Sequence, residues 1–220
     1  MKLLLIVARL YVVLSILTFA AVDAQSAQED SVSTSNEQIR QQFQAKFESI
    51  EAFLSKQPQP LKGSKALFEF IETDLMSVWS AELTIKAILG VKRWSSLNDE
   101  EKQALIDVYI KTMQRYLFET LQKYTGQTAH AEQVQLNSKN TKGWLTTKLV
   151  ADNFPDINVD LKLYRKENQW LIYDFRFQGI SFIKLKQLEY QTVIDNQGVN
   201  RLIDTLKQKN QEFIKALKAS

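Results

Sequence analysis

Cysteine is missing from all 220 residues, and histidine occurs once, at His130. Disulfides, thiolate nucleophiles and cysteine metal sites are therefore excluded. A single imidazole cannot build a histidine-clustered zinc centre and leaves a serine triad only one candidate base. Glycine and proline are sparse at 6 and 3 residues, which removes collagen-like and low-complexity classes. Neither charge sign dominates: 28 basic residues against 25 acidic ones give a net charge of +3, too even a mixture to attract nucleic acid. The motifs of nucleophile elbows, dinucleotide folds, phosphate loops and zinc peptidases are all missing. With 45% hydrophobic and 24% charged residues, the chain can bury a real core in one domain or two small ones.

The N-terminus opens on Met1-Lys2 and carries a charge-free run of 13 residues from Leu10 to Val22. Val22-Asp23-Ala24 then supplies a small-residue cleavage pattern, so residues 1–24 read as a secretory signal. A membrane anchor is the competing reading, but Arg9 would cost a few kcal/mol inside a bilayer. Residues 25–36 are polar and without apolar period, a flexible leader ahead of a folded body at 37–220.

Within that body the period of the apolar residues changes twice. Ile39, Phe43, Phe47, Ile50 and Leu54 share one helical face, which ends before Gln57-Pro58-Gln59-Pro60. Further helices are predicted from Gly63-Ser64 to Met76, from Ser80 to Leu89 with Gly90 as a stop, and from Asn98 to Tyr124. The last is opened by an Asn98/Glu101 capping pair. From Thr128 the period is two: strands are expected at Thr128–Leu136, at Trp144–Val150, through Ile157, Val159, Leu161 and Leu163, and through Leu171, Tyr173, Phe175 and Phe177. Lys166-Glu167-Asn168-Gln169 is short enough for a hairpin. After Gly179 the helical period returns in Ile183–Ile194 and, past Gly198, in Val199–Leu217. The expected fold is α+β, a curled four-stranded antiparallel sheet packed with about six to seven helices.

Apolar residues on the Asn98–Tyr124 helix occupy more than one face, which suits either a central helix packed all round or a helix lining a cavity. Phe175/Phe177 and Trp170/Ile172 alternate along one strand, so both faces of the sheet are expected to want apolar cover. His130 sits in a polar strand and reads as a surface residue. Asp160 and Asp174 could approach across adjacent strands, but pairing with Lys162 or Arg176 is the ordinary explanation. Lys184, Lys186, Lys207, Lys209, Lys215 and Lys218 read as a solvated helix face, with attraction to anionic lipid headgroups as the alternative. No catalytic residue, metal ligand or cofactor is expected.

Several segments in sequence resemble the MlaC, or toluene-tolerance, family of periplasmic phospholipid carriers. They are Ala87-Ile88-Leu89-Gly90 with Trp94, Asn98-Asp99-Glu100-Glu101, Tyr124-Thr125-Gly126-Gln127, Val159 to Leu163, Trp170 to Asp174 running into Gln178-Gly179-Ile180-Ser181, then Tyr190 and Gly198-Val199-Asn200-Arg201-Leu202. The chain departs from the family at Asp74-Leu75 and at Gln178. This resemblance implies a deep apolar pocket for phospholipid acyl chains. It further implies transfer of glycerophospholipid between an outer-membrane lipoprotein and porin complex and an inner-membrane ABC transporter with an MCE-domain protein, maintaining outer-membrane lipid asymmetry. At about 0.8 kcal/mol per methylene, two buried chains correspond to ~20 kcal/mol of gross transfer energy. Periodicity then nominates the lining: Leu145, Leu149, Leu161, Leu163, Phe175 and Phe177 from the sheet, and Ile85, Ile88, Tyr109, Met113 and Leu117 from the helices. An enzyme with a cone-shaped α+β cavity and a ligand-free periplasmic adaptor are the alternatives.

Overall fold

The computed structural model describes residues 35–57, 65–152 and 155–219. The expected signal, nearly all of the expected leader and the prolines of the first connector lie outside them. Helix α1 covers 35–54, so Ser35 and Asn36, read as leader, already belong to it. Its Ile39, Phe43 and Leu54 are buried, as their spacing demands. Helix α2, Lys65–Phe70, runs on through a widened turn, Ile71–Leu75, and a tight one, Met76–Val78.

Ser80 caps helix α3, Ala81–Ser96, by accepting the Leu83 amide at 3.2 Å. Gly90 interrupts the helix where the sequence predicts a stop: its φ of 78° and ψ of 161° are not helical, and a second short helical segment follows across the kink. Helix α4, Asp99–Leu121, starts with the expected capping box: Asn98 Oδ1 accepts the Glu101 amide at 2.8 Å and Glu101 accepts the Asn98 amide at 3.0 Å.

Strands β1 Thr128–Leu136, β2 Lys142–Val150, β3 Ile157–Lys166, β4 Gln169–Phe177 and β5 Ile180–Ser181 form one antiparallel sheet in that order. The expected count of four misses β5, a two-residue strand too short to show a period. The sheet is open and mildly curved where a curled one was expected. The outer edge of β1 is held by α1 side chains, Gln44 accepting the Ala131 amide at 2.8 Å and Glu51 the Ala129 amide at 2.7 Å. At the other side the Ser80 amide donates to the Ile172 carbonyl at 2.8 Å, beside a Trp79–Ile172 bridge. Helix α5, Phe182–Ala219, spans both predicted C-terminal stretches and bends at Gly198. The described residues therefore hold five α-helical elements, fewer than expected, because α3 and α5 each join two helical segments end to end across a non-helical glycine, Gly90 or Gly198.

A register shift between Lys162 and Leu163 changes the reading of the sheet faces. Leu161 opposes Phe175 while Leu163 opposes Ile172, so β4 carries one residue too many and its alternation slips at Tyr173-Asp174. Trp170 and Ile172 consequently join the Phe175/Phe177 face, packing with Leu145, Leu163, Val134 and α1. The opposite face is mixed, with Tyr164 packed against the helical core. There the Arg176 guanidinium and Lys162 ammonium stack on Trp144 at 4.5 and 5.1 Å, and Asp160 and Thr146 complete a polar ladder. Extra residue Tyr173 turns toward a second core built by α3, α4 and α5. Phe118 of α4 belongs to a third cluster with Leu54, Leu67, Phe70 and Ile71.

Candidate functional site

Helix α4 proves to be both a packed helix and a cavity wall. Its Leu105, Val108 and Tyr109 are enclosed by α3 and α5. One turn on, Met113, Tyr116, Leu117 and Thr120 face a cleft of about 430 Å³, closed by Trp79, Phe175 of β4, and Phe182 and Lys186 of α5. The sheet and the helices meet here through rings: Phe175 stacks on Phe182 at 5.0 Å and meets Trp79 edge-on at 6.4 Å, while Tyr116 meets Phe182 edge-on at 6.0 Å. Such contacts are worth roughly 0.5–1.5 kcal/mol each beyond area burial. They can be exchanged for contacts with another apolar body at little cost.

The polar groups on this wall are mainly cationic. Lys186 Nζ lies 2.6 Å from Glu189 and over the rings of Tyr116, Phe182 and Tyr190 at 4.9, 5.9 and 5.9 Å. Burial works against its charge, but Glu189 and Tyr116 outweigh that and hold its pKa above the ordinary lysine value. Lys123 and Glu119 also line the cleft. Behind it, burial pushes up the phenols of Tyr109 and Tyr190, whose hydroxyls have no hydrogen-bond partner among the described residues. Burial and the charge of Asp174 raise Tyr173 to about 12.

Of the residues nominated by periodicity, Met113, Leu117 and Phe175 come together at this cleft. Ile85, Ile88 and Tyr109 lie inside the helical core, and Leu145 and Leu163 inside the sheet core, with Leu161 partly buried against it. Leu149 is half-buried and Phe177 is 38% exposed. Trp79, Tyr116, Phe182 and Lys186 escaped that nomination. Tyr116 was recoverable from the helical step between Met113 and Thr120; nothing in the local pattern signals that Trp79 bridges to β4.

Both carboxylates weighed for chemistry have structural employment. Asp160 receives Arg176 Nε and a terminal nitrogen at 3.0 and 2.9 Å and the Thr146 hydroxyl at 2.9 Å. Asp174, buried, accepts the Ser181 hydroxyl at 2.7 Å and the Ile183 amide at 3.0 Å, which fixes the start of α5. His130 is exposed, 3.2 Å from the Thr128 hydroxyl. Among the described residues no acidic, histidine or cysteine cluster could hold a metal, and no helix is long and apolar enough to cross a membrane.

Residues 44–208 match the family described as MlaC protein. Among solved structures, the chain is similar to the phospholipid-binding protein from Ralstonia solanacearum, determined in complex with a phospholipid. That similarity has a TM-score of 0.69 at 16% identity and covers 80% of this chain and 98% of the other.

Proposed function

Because this chain belongs to the MlaC family, we propose that it binds phospholipid and carries it across the periplasm without chemical change. In this reading the signal is removed near Ala24, and the exported protein passes glycerophospholipid between an outer-membrane lipoprotein and porin complex and an inner-membrane ABC transporter with an MCE-domain protein. Outer-membrane lipid asymmetry is what that traffic maintains. The observation that carries the reading is the ring-walled cleft between β4, α4 and α5, with an apolar floor and Lys186 on its wall. Acyl chains would lie against Met113, Leu117 and Phe175, and the phosphate would lie toward Lys186. A phospholipid in the similar Ralstonia solanacearum protein supports this ligand class.

About 430 Å³ is near the lower end of the roughly 300–1,000 Å³ of small-ligand cavities, so two full chains require the walls to part. The Phe175–Phe182 stack and Trp79 are the side chains whose rotation would do this, opening a path toward Leu161 and the remaining nominated residues. Native mass spectrometry of exported protein purified without detergent tests the proposal. A phospholipid adduct with intact esters is expected; protein that neither co-purifies with phospholipid nor takes it up from vesicles refutes it.

A further inference from the structure

We propose that the seam between α3 and the first half of α5 is a docking surface for an anionic lipid bilayer. Val91, Leu188 and Leu185 are 81%, 71% and 54% exposed. The two helices run side by side here: Gln187 donates to the Ala87 carbonyl at 3.0 Å, and Arg93 pairs with Asp195 further along. Val91 and Leu188 thus flank one seam, with Leu185 a turn earlier on the same helix. Scattered single leucines on a surface mean little, but neighbouring ones mark contact sites.

The exposure of Val91 is built into the backbone. In a straight helix Val91 would follow Ala87 and Ile88 onto the inward face. The turn at Gly90 throws it outward and leaves the inward place to buried Trp94.

Charge selects the occupant. The acids beside the seam are already paired, Asp195 with Arg93 and Glu189 with Lys186 and Lys209. Exposed Lys92 and Lys184, next to Val91 and Leu185, have no carboxylate partner among the described residues. An apolar patch flanked by two unpaired lysines fits the interface of a negatively charged bilayer, where each lysine near the surface strengthens binding roughly fivefold. Lys186 and Phe182 on the adjoining side of the same helix line the cleft, so docking brings the cleft to the bilayer.

Flotation of the exported protein with vesicles tests this independently of ligand uptake. Co-flotation with vesicles of phosphatidylethanolamine containing one-third phosphatidylglycerol is expected, weakened on phosphatidylcholine alone. L185E/L188E should lower it at least tenfold and K92Q/K184Q roughly 25-fold at two lysines, while L117W, which fills the cleft, leaves it unchanged. Far-ultraviolet circular dichroism confirms that the exposed-site variants fold. Failure of the wild type to float, equal flotation of the variants, or loss of a membrane-protein pull-down in L185E/L188E with vesicle binding intact would overturn the proposal, the last assigning the patch to a protein partner.

Discussion

Replacing Asp174 separates a structural carboxylate from a catalytic one. Its two oxygens hold the Ser181 hydroxyl and the Ile183 amide, tying β4 to the first turn of α5 in a buried setting. Hydrogen bonds to a charged group contribute about 1.5–3 kcal/mol each, and an abandoned buried donor costs a comparable amount. Asp174→Ala should therefore destabilise the protein by about 3–5 kcal/mol. In a chain of this size that lowers Tm by roughly 6–20 °C. Asp174→Asn keeps an acceptor for the Ile183 amide and can donate to Ser181 once that hydroxyl turns, so about 1–2 kcal/mol is expected. Thermal and urea unfolding followed by circular dichroism measure both. A Tm for Asp174→Ala within 2 °C of wild type would refute the structural assignment. Ester hydrolysis that scales with wild-type protein and vanishes in the folded Asn variant would replace a carrier with an enzyme.

Leu117→Trp should cut co-purifying phospholipid at least tenfold with Tm changed by only a few degrees, because Leu117 is partly buried at the cleft; native mass spectrometry and calorimetry decide it. Lys186→Met should erase any preference for phosphatidylglycerol over diacylglycerol, which lacks the phosphate, without weakening diacylglycerol uptake in competition assays. Tyr109, Tyr173 and Tyr190 have phenols raised by burial, so the stability linked to their neutral forms is intact below pH 10. For Tyr173 it is lost as pH rises toward about 12. Tyrosinate absorbance should show these rings ionising together with unfolding; ionisation near pH 10 in the folded state would contradict their burial. His130→Ala should leave lipid transfer between vesicles unchanged, since the ring is exposed and, among the described residues, bonded only to Thr128.

The helices and strands were legible because each has a period long enough to declare itself, and the Asn98/Glu101 pair wrote its own cap into the sequence. Two things stayed hidden. Gly90 and Gly198 break their helices at a φ near +80° as they look to, but the short helical segment that resumes after Gly90 has no period long enough to announce it. The bulge at Tyr173, opposite Lys162-Leu163, defeats alternation outright: Trp170/Ile172 and Phe175/Phe177 read as opposite faces and lie on one. The site was half legible for the same reason. Met113 and Leu117 follow from a helical stripe and Phe175 from a strand, whereas Trp79 and Lys186 reach the cleft through tertiary contacts that no local period encodes.

The grip of α1 on β1 reaches beyond packing. Gln44 and Glu51 consume backbone amides of β1 that would otherwise point outward from an unpaired strand, the feature by which sheets recruit further strands from other molecules. A chain without residues 35–54 would present that bare edge at whatever concentration the compartment holds. It should then dimerise or form fibres by strand addition, so the first helix acts as a guard against self-association as well as a lid on the sheet core.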